Sequence, residues 1–488
     1  MKKYILLLLG LVLLHVGCSD DDDVVSNGET PKLVAGSDAV VQNFMWQAMN
    51  LWYFWQADVD DLADDRFSSD QAYTNFLEST PNPENFYTQI QFSEDRFSFS
   101  NSDYTTLVNN LNGVSKSNGL EFGLVLFQDS DDIFGYVRYV VPNSDASTKD
   151  IQRGDLFTGV NGQTLNLNNY IDLLFGDNDM YTLNMASANG NTIEPNGEEV
   201  TLTKFEGLVE NPVHVVETLD VNGQKVGYLM YNGFTRDFDE ELNDAFGQFV
   251  ADGVTDLVID LRYNPGGSVN SSRLLASMVY GTNTNDLYIR QRWNDKIQPQ
   301  LSDEQLEDYF AAQTGAGSSI NTLNLNQVYF ITTNSSASAS ELVMNGLDPY
   351  VDIIHIGETT RGKNEFSITM VDDPENSYVY NSSRESQINP ENSWALQPLV
   401  GRNENAIGFF DYTDGLVPDI PLEEDLANLG VLGNINEPLL ARALQEITNV
   451  VSKSQSFQVS IPAKVLTESK LHTPVKDMMY LDKPIDFR

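Results

Sequence analysis

The sequence predicts an α/β protein, with a helical unit and a β-rich unit ahead of its core, and three observations carry that reading. After Glu206 strands alternate with helices, the order that βαβ units require. Within that stretch Leu257-Val258-Ile259-Asp260-Leu261 is an almost unbroken apolar run, as a strand buried on both faces of a parallel sheet should be. Between Gly113 and Glu206 the texture is instead short β-branched and aromatic runs broken by Asp, Asn and Gly. A chain of 488 residues has room for several such units, at roughly 100 to 200 residues each, and for a sizeable core.

Taken in order, Lys2 and Lys3 precede an apolar run over residues 4–14 that is too short to span a bilayer and suits the h-region of a signal peptide. Gly17-Cys18 closes it. A small residue before a cysteine at this place resembles the lipobox of bacterial lipoproteins, with His15 a departure from the usual pattern. The resemblance implies that residues 1–17 are removed and that Cys18 carries a lipid anchor to a membrane. Asp20 to Asp23 are adjacent carboxylates that repel one another, so 18–37 reads as a solvated linker. An acidic run after the acylated cysteine also resembles the surface-export signal of lipoproteins in Bacteroidetes-type bacteria. The implied location is the cell envelope, at the outer membrane, on its periplasmic face or at the cell surface.

Val40, Phe44, Met45, Met49 and Trp52 recur at spacings of three and four, which predicts an amphipathic helix with an aromatic face turned to a core. A second helix is predicted over 71–78, and the helical N-terminal domain spans 38–112. In the β-rich unit, 113–206, strands are predicted over 122–127, 135–141 and 200–204. Val140-Val141-Pro142 followed by Ile151-Gln152-Arg153-Gly154-Asp155 resembles the strand and Gly-Asp turn of a PDZ domain of the protease-associated kind. That resemblance sets Leu120, Phe122 and Gly123, in Gly119-Leu120-Glu121-Phe122-Gly123-Leu124, where such domains bind a peptide's terminal carboxylate while the peptide adds a strand to the sheet edge. The core, 207–450, carries predicted strands at 226–231, 257–261, 328–332 and 351–356 and helices at 238–252, 271–279, 341–347 and 438–446. The C-terminal extension, 451–488, has six basic and four acidic residues. It is expected to extend into solvent, the other possibility being that it lies against the acidic body.

Charge and cysteine count narrow the function. With 28 Lys+Arg against 71 Asp+Glu the net charge is −43, a field that repels phosphate backbones and leaves nucleic acid a poor partner. Cys18 is the single cysteine, so no intramolecular disulfide and no thiolate metal cluster can form.

Two segments of the core carry chemistry. Asp260-Leu261-Arg262-Tyr263-Asn264-Pro265-Gly266-Gly267 follows the buried strand, and adjacent glycines there let backbone N–H groups face a cleft, as stabilising an oxyanion requires. By itself Asn-Pro-Gly-Gly is also an ordinary turn. Ser335-Ser336-Ala337-Ser338-Ala339-Ser340-Glu341 lies between a strand and a helix, where backbone donors can assist a nucleophile. Ser338-x-x-Glu341 reads equally as a capping box. A serine nucleophile needs a base. Among the histidines after Cys18, His214, His355 and His472, His355 lies within a strand and reads as structural. Lys363 follows the turn Gly357-Glu358-Thr359-Thr360-Arg361-Gly362, and strand, helix, strand brings that turn to the sheet edge of the serine turn.

Ser-Ala-Ser-Ala-Ser-Glu, a helix, a strand ending in Gly-Glu-Thr and then Gly-Lys resembles the active-site region of carboxyl-terminal processing, or tail-specific, serine proteases. The Asp-Leu-Arg-x-Asn-Pro-Gly-Gly motif and the order helical domain, PDZ domain, core agree with it over roughly 40–447. The resemblance implies a crotonase/ClpP-like protease core of βαβ units with an inserted PDZ domain. It implies Ser338 as nucleophile, Lys363, 25 residues on, as general base, and an oxyanion hole from the Ala339 N–H and that of Gly266 or Gly267. It also implies polypeptide substrates presented by their C-termini and no metal or organic cofactor. Where many members have a glutamine that orients the lysine, this chain has Ser367. A peptide- or lipophile-binding lipoprotein on the same scaffold, without proteolysis, is the alternative. Lys363 must be neutral to act as a base, so desolvation and Arg361 have to outweigh Glu358, Glu365 and the acidic background.

Overall fold

The computed structural model describes residues 39–190, 192–448, 463–473 and 475–482. Residues 1–17, expected to be a signal peptide, and 18–37, expected to be an acidic linker starting at a lipid-bearing Cys18, lie outside the described residues. No helix among those described is long and apolar enough to cross a membrane.

The helix Val40–Trp52 buries Phe44, Met45, Trp46, Met49 and Trp52, the face its spacing predicts, and burying each such side chain contributes about 1.5–3 kcal/mol. Shorter helices follow at Asp70–Glu78, where Ser69 accepts the Ala72 N–H, and at Pro83–Gln89, where Asn82 caps and proline occupies the first turn. These helices form no separate core. Their apolar faces join the cluster that contains Leu229, Leu257, Phe330 and Val343, and the Trp52 ring packs 5.9 Å from that of Trp293.

The β-rich unit is an antiparallel sheet in the order Leu120–Phe127, Ile133–Val140, Leu156–Val160, Met180–Asn189, Thr192–Thr203. Its own apolar cluster includes Leu120, Phe122, Phe157 and Leu183. The strands Val114–Ser117 and Phe205–Val209 pair with each other as the chain enters and leaves it.

The core is built on the sheet Val213–Val221, Gln224–Tyr231, Asp256–Asp260, Gln327–Thr332, Asp352–Gly357, Ile420–Pro421, parallel from its second strand onward. Alternate residues of its strands separate two clusters, so both faces are covered: Leu257 and Ile259 pack with Leu274, Leu342 and Val343, whereas Val258 and Ile331 pack with Leu439, Leu440 and Leu444. The helix Asp239–Asp252 places Asp239, Glu240 and Glu241 in its first turn and ends on Gly253 in the left-handed conformation, φ +76°, which suits the helix dipole and the C-terminal turn.

A second sheet was not foreseen. It orders Gly267–Ser268, Met479–Tyr480, Glu365–Ser367, Leu399–Asn405, Leu287–Trp293 and Glu307–Tyr309. Its strands carry buried polar residues such as Gln291, Asn403 and Asn405, so no apolar run announces them. The tail also departs from expectation. Ala463–Glu468 pairs antiparallel with Leu120–Phe127, and Met479–Tyr480 pairs with Gly267–Ser268. These described tail residues pack against the body because two sheet edges offer them unpaired backbone groups.

Candidate active site

The C-terminal ends of three neighbouring parallel strands feed the site, as the topology of open α/β sheets favours. Asp260 leads to Gly266 and Gly267, Thr332 to Ser338, and Gly357 to Lys363.

The serine turn separates its hydroxyls by their partners. Ser336 Oγ donates to the Leu261 carbonyl (2.8 Å) and accepts the Thr333 N–H (3.0 Å), while Ser340 Oγ donates to the Asn264 carbonyl (3.0 Å). Both are spent on fastening the turn to the Asn-Pro-Gly-Gly loop. Ser338 is fully buried at φ +66° and ψ −112°, a conformation that costs a non-glycine residue about 1–3 kcal/mol and persists only where surroundings impose it. Ser338 and Glu341 face each other in a capping-box arrangement, yet the Ser338 hydroxyl makes no cap hydrogen bond of ordinary geometry and its oxygen has no partner.

Glu341 joins the two turns. Its Oε2 accepts the Ser338 N–H (2.7 Å) and the Lys363 N–H (2.9 Å), so one oxygen holds both backbone nitrogens. Its Oε1 accepts the Gly362 N–H (2.6 Å) and the Thr360 hydroxyl. Burial pushes this carboxyl up to about 7 against the pull of those donors. The sequence signal, Ser-x-x-Glu, points to a cap within one helix and gives no hint of the reach to Lys363.

Lys363 is 2% exposed. Its Nζ donates to the Asp477 carbonyl (2.5 Å) and lies 5.0 Å from the Phe97 ring centroid. Desolvation brings its pKa down to about 8, with Asp477, Glu365, Asp95 and Glu341 pulling the other way. Desolvation thus prevails, as expected, and of the opposing carboxylates Asp95 and Asp477 come from segments distant in sequence. Arg361 is turned to Asp477 at 3.6 Å. Ser367 does not orient the lysine: its hydroxyl donates to the Met479 carbonyl (3.1 Å).

Of the predicted oxyanion donors, the Gly266 N–H is taken by Asn264 Oδ1 (2.9 Å), whereas the Gly267 N–H donates to the Met478 carbonyl (2.5 Å). Ala339 opens the helix Ala339–Leu347, where a backbone N–H has no partner within the helix. Both glycines are required, at φ +109° and +136°. A Cβ on Gly266 would meet the Met478 oxygen at 2.3 Å and Ser338 Cβ at 2.6 Å.

The Leu120, Phe122 and Gly123 segment is some distance along the chain from these turns but meets the same tail. The Leu120 N–H donates to Asn118 Oδ1 (3.0 Å), the Phe122 N–H to Ser469 Oγ (3.0 Å), and Gly123 stands opposite Glu468 in the sheet. The histidines serve elsewhere. His355 Nε2 bonds the Thr332 hydroxyl and burial lowers its pKa to about 4; His214 packs on Tyr139; His472 stacks on Phe175.

Against known families, the description "Peptidase family S41" matches residues 225–394 and "Peptidase S41 N-terminal domain" matches 40–99. A probable CtpA-like serine protease of Staphylococcus aureus (strain N315) is 30% identical over 172 residues, 34% of this chain and 32% of that protein. A carboxyl-terminal-processing protease of Picosynechococcus is 27% identical over 154 residues, 31% of this chain and 32% of that protein. The chain thus spans about a third of the length of the curated relatives it matches. The crystal structure of a putative S41 protease from Bacteroides fragilis NCTC 9343 covers 87% of this chain and 100% of its own, at 27% identity and a TM-score of 0.65. Residues 40–99 and 225–394 are thus similar to the two parts of peptidase family S41, and the mixed α/β fold is similar to that of the Bacteroides fragilis structure over most of the chain.

Proposed function

We propose that the chain is a serine endopeptidase of the carboxyl-terminal processing type, in which Ser338 attacks the scissile carbonyl and Lys363 takes its proton and returns it to the leaving amine. The observation that carries this reading is the buried Glu341 carboxylate, which accepts the backbone N–H groups of both Ser338 and Lys363. It is supported by a serine hydroxyl left without a partner while its neighbours are engaged, and by a lysine whose desolvation makes the neutral amine accessible near pH 8. The oxyanion would be held by the N–H groups of Gly267 and Ala339. A donor of this kind contributes about two to three orders of magnitude in rate.

The β-rich unit acts in this reading as a PDZ-like module that presents polypeptide C-termini through the edge at Leu120, Phe122 and Gly123. The protein is tethered in the cell envelope through acylated Cys18. The test is hydrolysis of an unfolded protein by the soluble form beginning after Cys18, compared with Ser338→Ala and Lys363→Ala. Each substitution is expected to lower kcat/KM by at least about 10⁴-fold with the fold retained. Equal activity in all three would sink the dyad.

A further inference from the structure

The C-terminal segment follows one track across the molecule. At its start Lys464 stands opposite Leu126, Val465 opposite Val125, Thr467 opposite Leu124 and Glu468 opposite Gly123, as an added antiparallel edge strand. Glu468 pairs with the buried Arg138 and accepts the Ser335 hydroxyl (2.6 Å), and Lys470 Nζ reaches the Asn232 carbonyl (2.8 Å) and Glu210 (3.3 Å). The His472 ring stacks on Phe175 at 3.8 Å.

Farther along, the segment enters the site itself. The Asp477 carbonyl takes Lys363 Nζ, and the Met478 carbonyl takes the Gly267 N–H, each at 2.5 Å. Since the Met478 oxygen and Ser338 Cβ both lie within 2.6 Å of where a Gly266 Cβ would be, they are at most about 5 Å apart. Beyond it the Met479 carbonyl accepts from Ser367, the Leu481 N–H donates to the Ser367 carbonyl (3.0 Å), and Ser268 Oγ donates to Asp482 (2.9 Å). Met478 and Met479 are 2% and 0% exposed.

Main-chain pairing at a sheet edge, followed by a main-chain carbonyl on the donor expected to hold an oxyanion, is how a site reads an extended polypeptide irrespective of much of its sequence. We infer that residues 463–473 and 475–482 are a pseudosubstrate: these parts of the chain's own C-terminal segment occupy in cis the track along which a polypeptide substrate would bind. The inference rests on the peptidase reading for its consequence and on the contacts alone for the occupancy. The occupied arrangement is non-productive, because Lys363 donates to the Asp477 carbonyl instead of accepting the Ser338 proton. The tail covers both the edge at Leu120–Phe127 and the donor at Gly267, its chain running from edge to site. A substrate held by its C-terminus at that edge would instead reach Gly267 with the residues that precede the terminus, so the two compete for the same surface in opposite chain directions. A tethered segment competes at an effective concentration of about the millimolar range, so a substrate must displace it. Its cost should appear in KM and leave kcat at saturation nearly unchanged.

The test uses the full chain with Glu468→Ala and Lys470→Ala, which remove the tail's contacts to Arg138, Ser335, Glu210 and the Asn232 carbonyl. A fluorescently labelled synthetic peptide of residues 463–482 serves as the probe in a Ser338→Ala background, where no hydrolysis can intervene. Polarisation should show it binding on the order of tenfold more tightly to the variant than to the chain with its tail intact, as a displaced competitor requires. With Ser338 restored, the variant should hydrolyse unfolded protein with kcat/KM raised by a similar factor through KM. The unlabelled peptide should inhibit the unmodified chain competitively, which keeps the test valid if the variant folds poorly. Peptide binding without hydrolysis by any form would uphold the occupancy and refute the peptidase reading. Hydrolysis that neither the variant nor the peptide alters, with no peptide binding, would overturn the pseudosubstrate while leaving the peptidase intact.

Discussion

Two buried cations stand near the carboxyl ends of the same parallel sheet, and the molecule treats them in opposite ways. Arg262, fully buried, is surrounded by charge: it donates to Asp260 (2.6 and 2.9 Å), Glu437 (2.7 and 3.1 Å) and Glu424 (3.0 Å). Burial lowers its pKa, but the Asp260, Glu437 and Glu424 carboxylates raise it further, to well above the ordinary arginine value. Glu424 in turn is held down to about 2, where burial alone would raise it, by Arg153 and Arg262. Lys363 is as deeply placed, but its Nζ hydrogen-bonds only a neutral carbonyl among the described contacts, and its pKa falls to about 8. Burial is common to both. What differs is whether carboxylates are close enough to hydrogen-bond, and that separates a cation locked into structure from one able to give up its proton.

The largest test of that contrast is on stability. Arg262→Met strands the carboxylates of Asp260, Glu424 and Glu437 and should cost about 3–5 kcal/mol in urea unfolding, a loss that shrinks at lower pH as the stranded acids take up protons. Lys363→Met at pH 7 should instead raise the urea midpoint. The folded lysine titrates near 8 and the unfolded one near 10.5, so folding releases proton affinity. The penalty for keeping it charged is full below 8 and fades as pH rises toward 10.5, and the gain in the variant should fade with it.

A smaller effect is expected at the carboxylate that ties the two turns. Glu341→Gln keeps the shape but replaces one acceptor oxygen by a donor, facing backbone N–H groups with another. Loss of about 1–3 kcal/mol of stability is expected, together with a fall in kcat, from unfolding and hydrolysis measured on the same preparation. The mildest expectation concerns pH. With Lys363 as base, kcat/KM should rise about tenfold per pH unit below roughly 8 and level off above it, following the neutral fraction of a lysine lowered to about 8. A rise centred near the ordinary lysine value would mean that the site is open to water.

Much of this was legible in the chain because it depends on local order. The helix Val40–Trp52 has the limits its apolar spacing gives, and the parallel strands of the core fall within about a residue or two of their apolar runs. The serine and lysine turns stood out because each follows a strand, and the resemblance to carboxyl-terminal processing proteases, with its spacing of 25 residues, is what singled out Ser338 and Lys363 within them. The sequence pattern does not reveal the strands Leu287–Trp293 and Leu399–Asn405, since their buried faces include Gln291, Asn403 and Asn405, whose amide nitrogens bond neighbours distant in sequence. The tail was misread as solvated for the same reason: a segment with no apolar run can still be ordered by pairing its backbone.

By itself the sequence determined the α/β order of the core, the turns that end its strands, and the acidic charge against which a neutral lysine must be kept. Tertiary structure decided which serine hydroxyl is left without a partner, which carboxylate joins the serine and lysine turns, and what fills the cleft between them. The physical reason is range. Periodicity and turn chemistry act over a few residues and are written locally, whereas desolvation and hydrogen bonding depend on which groups the fold brings within about 3 Å, and Lys363 and Asp477 are 114 residues apart.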